Sequence, residues 1–518
     1  MNLLRAASTV SLLTLASRIT GLVRDQLIAA QFGASAATDA YNVAFRIPNL
    51  FRRLFAEGAF SQAFVPLLAA TREREGDGAT HALIDAVATV LVWVLVAACA
   101  AGVAGAPWLV WGMASGLERI DLATVMTRWM FPYIGFMSIV ALGAGILNTW
   151  KRFAVPAVTP VLLNLSIIIA AAWLAPLLRR QGAEPILALA AGVMLGGLLQ
   201  AGLQIAALAR LDMLPRVGFG LARLRAAWHH PGVHDVLGRM APALLGVSVA
   251  QVSLLINTQI ASHLATGSVS WLTYADRLME FPTGLLGVAL GVVLLPQLSA
   301  AQGRGDAAAY SDMLDWGLRL VVLLALPCAV ALIAFASPLV AVLFHYGRFT
   351  DADVVQCARA VMGWGVGLMG LIAVKVLAPG FYARQDTKTP VKIALGVLAA
   401  TQFMNALFVP WVGQAGLSLS IGLAALLNSG FLLLGLRRRG VYRPRPGWLA
   451  FGLRVCAACL LLAAELAWAG GALDWTALRA HPLERAAWMA LVLALSAGVY
   501  FGVLAASGLS LRQFARRA

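Results

Sequence analysis

The chain has 518 residues, of which 61% are hydrophobic and only 12% charged, with a mean hydropathy of +0.82. Soluble domains carry about 25% charged residues, so a soluble globular fold is excluded. The formal charge of +16 raises nucleic acid as a partner, but the basic residues gather in short loops between apolar runs, as membrane topology requires, and no nucleic-acid partner is expected.

Apolar runs long enough to cross a hydrocarbon core of about 30 Å recur from end to end. They predict fourteen helical spans, near 8–32, 37–68, 84–112, 124–148, 156–177, 185–208, 236–264, 270–298, 314–342, 355–380, 391–411, 414–436, 448–470 and 485–508. The first breaks its apolar pattern with Arg18, Arg24 and Asp25 inside "SRITGLVRDQLIAAQFG". Its interrupted apolar stretch lacks the form of a cleavable signal. The second carries Asp39, Arg46, Arg52, Arg53 and Glu57, with Pro48 to bend it and Gly58 to loosen it. The eighth brings Asp276, Arg277 and Glu280 just before Pro282, and the tenth contains Lys375.

The loops on one side hold Arg72 and Arg74; Lys151 and Arg152; Arg210, Arg216, Arg223 and Arg225; Arg304; Arg384 and Lys388; and the cluster from Arg437 to Arg445. Loops on the other side, such as "QFGASAATD" and "HLATGSVS", have no Lys or Arg, while Arg179 and Arg180 are an exception. The positive-inside rule then places both termini in the cytoplasm. A weak internal repeat runs at one shared offset: Gly33, Pro48 and Pro156 recur as Gly267, Pro282 and Pro390. Six helices per repeat give both units the same orientation, a parallel pseudo-repeat about an axis along the membrane normal. The expected divisions are an N-terminal lobe over 1–225, a C-terminal lobe over 226–440, and two extra helices in 441–518.

A charge near the bilayer centre costs roughly 2.5–3.5 kcal/mol on insertion scales, so each intramembrane charge needs a reason. Local pairing is one: Arg53 with Glu57, Arg277 with Asp276 or Glu280, and Arg18 with Asp25. Arg46 has the option of snorkelling to an interface. Taken together, the basic members exceed their local acids and come from the first parts of both lobes. That predicts a cationic, water-filled cavity between two six-helix bundles, suited to an anion with phosphate oxygens, because arginine's planar fork binds such oxygens in pairs. No nucleotide-binding loop or catalytic triad occurs. The five cysteines fall mostly in apolar runs, so Cys456 and Cys459 read as helix packing, and His229 with His230 as solvated loop residues. The chain is expected to be a transporter and not an enzyme, with no metal and no cofactor.

The stretches "ATDAYNVAFRIPNLFRRLFAEGAFSQAFVPLL", "GSVSWLTYADRLMEFPTGLLGVALGVVLLPQLS" and "LIAVKVLAPGFYARQDTKTPVKIA" closely resemble the MurJ (MviN) lipid II flippases. That family belongs to the multidrug/oligosaccharidyl-lipid/polysaccharide exporter superfamily. The likeness extends along essentially the whole chain, from "ASRITGLVRD" to "RQFARR". It implies an all-α, polytopic, two-lobe fold of about fourteen helices in the bacterial cytoplasmic membrane. It also implies transport of the undecaprenyl-pyrophosphate-linked peptidoglycan precursor to the outer leaflet. By resemblance, Arg18, Arg24, Arg52 and Arg277 contact the pyrophosphate and head group. Asp39, Glu57 and Lys375 stand at family positions linked to function, and the last two helices form a groove for the polyprenyl tail. The expected partners are lipid II and membrane lipids, with the protein a monomer. Some relatives bind sodium near the seventh span, but Asn257 stands here where an acid is wanted, so no sodium site is expected. Coupling to membrane potential or to an ion stays open, as does the alternative of a related exporter of another lipid-linked oligosaccharide or a drug/cation antiporter.

Overall fold

The computed structural model describes residues 3–53 and 60–509. Among them every regular element is helical. Ten of the described helices are long and apolar enough to cross a membrane, and the chain is an all-α, polytopic membrane protein. The expected third to sixth and ninth to fourteenth spans are in this group. The expected first, second, seventh and eighth spans fall on Leu3–Phe32, Ala36–Phe51, Pro231–Ser262 and Ser268–Pro282.

The chain folds as two compact units, Met1–Val269 and Ser270–Ala518. In the first, Leu3–Phe32 packs on Ala154–Ile169, which packs in turn on Leu187–Ala209. Helix Pro231–Ser262, the first element that the repeat would assign to the C-terminal lobe, packs against Ser61–Ala104 and Ala106–Ala114 of this unit. In the second unit, Asp351–Leu377 packs most extensively on Gln414–Arg438. Glycines make that approach close: a Cβ on Gly367 would stand 2.0 Å from the Gly422 Cα. Helices in lipid gain nothing from hiding apolar surface, so small residues that let backbones meet become the source of attraction.

Three features depart from the expected spans. The basic stretch after the second span is no open loop: Ser61–Ala104 is two helical segments that meet directly at a kink. The kink is Gly76, at φ 81°, where only glycine is unstrained. The expected third and ninth spans stop early, at Gly105 and Phe335, and each continues as a nine-residue helix, Ala106–Ala114 and Ala336–Phe344. A short helix, Leu221–Trp228, lies in what was expected to be a loop.

The backbone repeats where the sequence does. Gly33 and Gly267 both have positive φ, 66° and 97°. Lys151 and Gln385, separated by the same offset, are both left-handed at φ 59°. Each is followed by the same turn: the Arg152 amide donates to the Leu147 carbonyl at 2.8 Å, and the Asp386 amide to the Phe381 carbonyl at 3.1 Å. Pro48 and Pro282 are each followed by π-helical backbone, at residues 52–53 and Thr283–Gly287. A proline deletes one helical donor and crowds the preceding turn, and a π-turn is one way for the chain to absorb that.

The last two long helices, Trp448–Ala472 and Pro482–Ala506, pack on each other and on Ala307–Ala334 and Ala336–Phe344. Polar contacts hold them at both ends. At one end, the buried Asp315 carboxylate accepts from the Tyr442 hydroxyl at 2.9 Å, Trp448 Nε1 at 2.6 Å, the Arg445 amide at 3.1 Å and Arg319 Nε at 2.8 Å. Asp312 pairs with Arg445 beside it. At the other end, the fully buried Arg485 donates to the His345 carbonyl at 3.2 Å and stacks over Tyr346.

Candidate functional site

Two helices of the first unit carry most of the intramembrane charges singled out from the sequence. Arg24 and Asp25, on Leu3–Phe32, are both buried. Arg24 donates through Nε to Asp25 Oδ1 at 2.8 Å and through Nη1 to Asn164 Oδ1 at 3.0 Å. Asn164 in turn donates to the Ser17 carbonyl at 3.0 Å and to Thr20 Oγ1 at 3.2 Å. A neutral side chain on a helix 140 residues away thus aims the guanidinium. Asp25 is engaged by Arg24, the adjacent residue, where the spacing had suggested Arg18; Arg18 is partly buried on the same helix.

Arg52 follows the proline bend of Ala36–Phe51. Its Nε donates to Asn49 Oδ1 at 3.0 Å. It lines a cavity of about 280 Å³ with Ser61, Tyr133, Thr159 and Gln200. Tyr133 and Gln200 are buried there, and Gln200 Nε2 is committed to the Thr159 carbonyl at 2.8 Å. Arg46 Nη1 donates to Thr258 Oγ1 at 2.9 Å, so this charge has a partner inside the unit in place of the expected escape to an interface. Arg53 is exposed. Glu57, its expected partner, lies outside the described residues, as does Gly58.

Asp39 is buried, and its Oδ2 accepts from the Gly267 amide at 2.7 Å. That bond ties the start of Ala36–Phe51 to the left-handed turn that precedes the next helix, a structural task for a residue that the resemblance linked to function.

The second unit supplies Arg277 and Lys375. Arg277 Nη1 lies 2.9 Å from Glu280 Oε2 on the next turn, both partly open to solvent. Lys375 is exposed, and its stem runs past the π-turn: a Cβ on Gly287 would stand 3.2 Å from Lys375 Cγ. Glycine at 287 leaves room for the lysine to reach its position.

Several residues escaped the sequence reading. Asn164 is one; the available signal was a lone amide in the apolar run "VLLNLSIII". Glu465 is another, an acid within Trp448–Ala472 that accepts from Ser496 Oγ at 2.8 Å. Arg128 and Arg359 are charges inside spans and were visible by the same criterion as Arg24. Among the described residues no group of three or more His, Cys, Asp or Glu side chains is arranged to hold a metal ion.

The sequence profile described as "Lipid II flippase MurJ" matches residues 28–478. A Lipid II flippase MurJ from Burkholderia cenocepacia is 55% identical over 522 residues, covering 100% of each chain. A probable lipid II flippase MurJ from Vibrio cholerae is 39% identical over 482 residues, covering 90% of this chain and 89% of that one. The fold matches the solved structure titled "Lipid II flippase MurJ, inward closed conformation" with a TM-score of 0.77 at 23% identity, covering 96% of this chain and 99% of the other. An inward-facing multidrug MATE transporter of the MOP superfamily matches at 0.64 and 15% identity, covering 82% and 95%. The chain therefore belongs to the MurJ lipid II flippase family.

Proposed function

We propose that this protein moves lipid II, the undecaprenyl-pyrophosphate-linked peptidoglycan precursor, from the cytoplasmic to the outer leaflet of the bacterial cytoplasmic membrane. The observation that carries this is the 55% identity over the full chain to a protein of that name. It is a transporter and not an enzyme. The likeness to MATE transporters at 15% identity bears on fold alone and does not favour cation export.

The residues assigned to the pyrophosphate are Arg24 and Arg52 in the first unit and Arg277 in the second, with Arg18 and Lys375 adding positive charge. Three features support the assignment. Arginine presents a fork that matches phosphate oxygens. Arg24 is held by neutral Asn164 as well as by Asp25, and Arg277 shares its acid with solvent. Two of the three sit at the repeated proline bends, where π-turns recur at functional positions. Glu57 is assigned a supporting role, while Asp39 acts through the turn that it anchors.

Transport by alternating access suits a two-lobe carrier. An inside-negative potential favours outward movement of negative charge by about 2.3 kcal/mol per charge per 100 mV, so potential is the simplest drive. The protein works as a monomer with both termini in the cytoplasm, and the polyprenyl tail lies along the last two long helices. The test is translocation of lipid II by purified protein in liposomes, with and without an imposed potential. Translocation that is accelerated by inside-negative potential is expected. Failure to move lipid II while another lipid-linked oligosaccharide moves would overturn the assignment.

A further inference from the structure

We propose that a groove in the second unit, headed by Arg359, binds an anionic phospholipid through its phosphate. Arg359 is exposed although it lies within an apolar span. Among the described residues no carboxylate, hydrogen bond or ring engages it. An arginine within a span is costly without a counter-charge.

The surroundings suit one end of a lipid. Arg359 lines a groove of about 720 Å³ with Gln356, Gln414, Trp411, Met362 and Val366. Gln356 precedes Arg359 by three residues, hence on the same helix face. Its carbonyl oxygen is used by Gln414 Nε2 at 2.7 Å, which leaves its own amide hydrogens to donate alongside the guanidinium. From this polar head the wall turns apolar: Met362 and Val366 continue down the helix, and Ile333 faces them from the neighbouring one. Trp411, 85% exposed, stands at the rim beside the Gly413 turn, where an indole marks the membrane interface.

The depth is consistent with a lipid phosphate. The capping box at Thr350 marks the start of the helix. Arg359 is eight residues beyond Asp351, about 12 Å along the axis, within reach of the headgroup region for a long side chain that extends toward it. In the orientation expected from the basic loops this is the outer leaflet. No translocation step enters this assignment, which therefore stands or falls apart from the transport reading.

The test is native mass spectrometry of the purified full-length protein in detergent, titrated with dioleoylphosphatidylglycerol, dioleoylphosphatidylcholine, inorganic phosphate and undecaprenyl pyrophosphate. Retention of phosphatidylglycerol over phosphatidylcholine is expected, weakened about tenfold in Arg359→Ala and by less in Arg359→Lys. Val366→Trp keeps the charge but fills the apolar wall, and must weaken retention too; it decides the matter if Arg359→Ala does not assemble. Equal phosphatidylglycerol retention by the wild type and Arg359→Ala would overturn the proposal. Inorganic phosphate occupying the site as well as the lipid does would overturn it as well, and so would undecaprenyl pyrophosphate displacing the lipid through Arg359.

Discussion

Arg24 and Asn164 join two helices across 140 residues of chain, guanidinium Nη1 to amide Oδ1 at 3.0 Å. The same asparagine holds the first helix at the Ser17 carbonyl and at Thr20. Arg24 is therefore both a charge and part of a packed network, and its removal leaves the Asp25 carboxylate buried without the guanidinium. Breaking a buried pair costs about 3–5 kcal/mol, so Arg24→Ala is expected to lose lipid II translocation and to melt at lower temperature. Asn164→Leu separates the two roles. It keeps the Arg24–Asp25 pair, costs about 1–2 kcal/mol, and should still lower translocation per inserted molecule severalfold. Normal transport by Asn164→Leu would show that the aim of Arg24 is unimportant.

Asp315 is the hub at one end of the last two long helices, with three donors on Oδ1 and one on Oδ2. Asp315→Ala orphans those donors and is expected to destabilise the protein by about 3 kcal/mol. It should also expose residues 439–447 to protease. Trp448→Phe deletes one bond and should cost only about 1 kcal/mol. Limited proteolysis and thermal melting together check the order; equal effects would place the clamp elsewhere.

Two loop groups predict losses of stability on acidification in different pH windows. Burial, and then the Arg479 charge, push His345 below its usual value, against the pull of Asp351. A histidine that resists protonation in the folded state takes up fewer protons than in the unfolded state. Its contribution is thus full above the unfolded value of about 6.5 and falls as pH drops below it. Stability should decline between pH 7 and 5, and His345→Asn should flatten that decline. Asp386, by contrast, is drawn down to about 2 by Arg439, with help from Thr389. Its stabilising contribution is present above about pH 4 and disappears only as pH falls through its own value. Asp386→Asn should leave the slope between pH 5 and 8 unchanged.

The contact between Asp351–Leu377 and Gln414–Arg438 depends on missing side chains. Gly367→Ala forces the helices apart at Gly422 and should cost about 2–3 kcal/mol, as overpacking does. Gly396→Ala meets nothing within 4 Å and should be neutral or mildly stabilising. Thermal melting of the two variants decides whether close backbone approach holds this unit together.

The basic loops predict orientation. In a cysteine-free background, Ser35→Cys and Thr266→Cys should react with an impermeant reagent from outside the cell. Arg438→Cys should react only after permeabilisation. Labelling of Ser35→Cys and Arg438→Cys from the same side would contradict the odd number of spans expected between these two positions.

Much of this molecule is written locally. Apolar runs longer than a bilayer core must be helices, because lipid offers the backbone no other partner. The repeated Gly33 and Gly267 are needed at positive φ, and the repeated Pro48 and Pro282 disturb the helix in both units. The shared offset was therefore legible before any contact was known. The charged positions were legible too, since an arginine in an apolar run stands out by composition alone. Their partners were not. Pairing Arg24 with Asn164, Arg46 with Thr258, or Asp315 with Trp448 depends on which helices become neighbours, and no local pattern encodes that. The same holds for the helical Ser61–Ala104 segment, whose basic stretch reads as a loop by polarity but stays helical until Gly76 breaks it. Hydropathy and stereochemistry act within a few residues and so are visible in one dimension. Hydrogen-bond satisfaction of a buried charge is met across the fold, and only the tertiary structure decides who meets it.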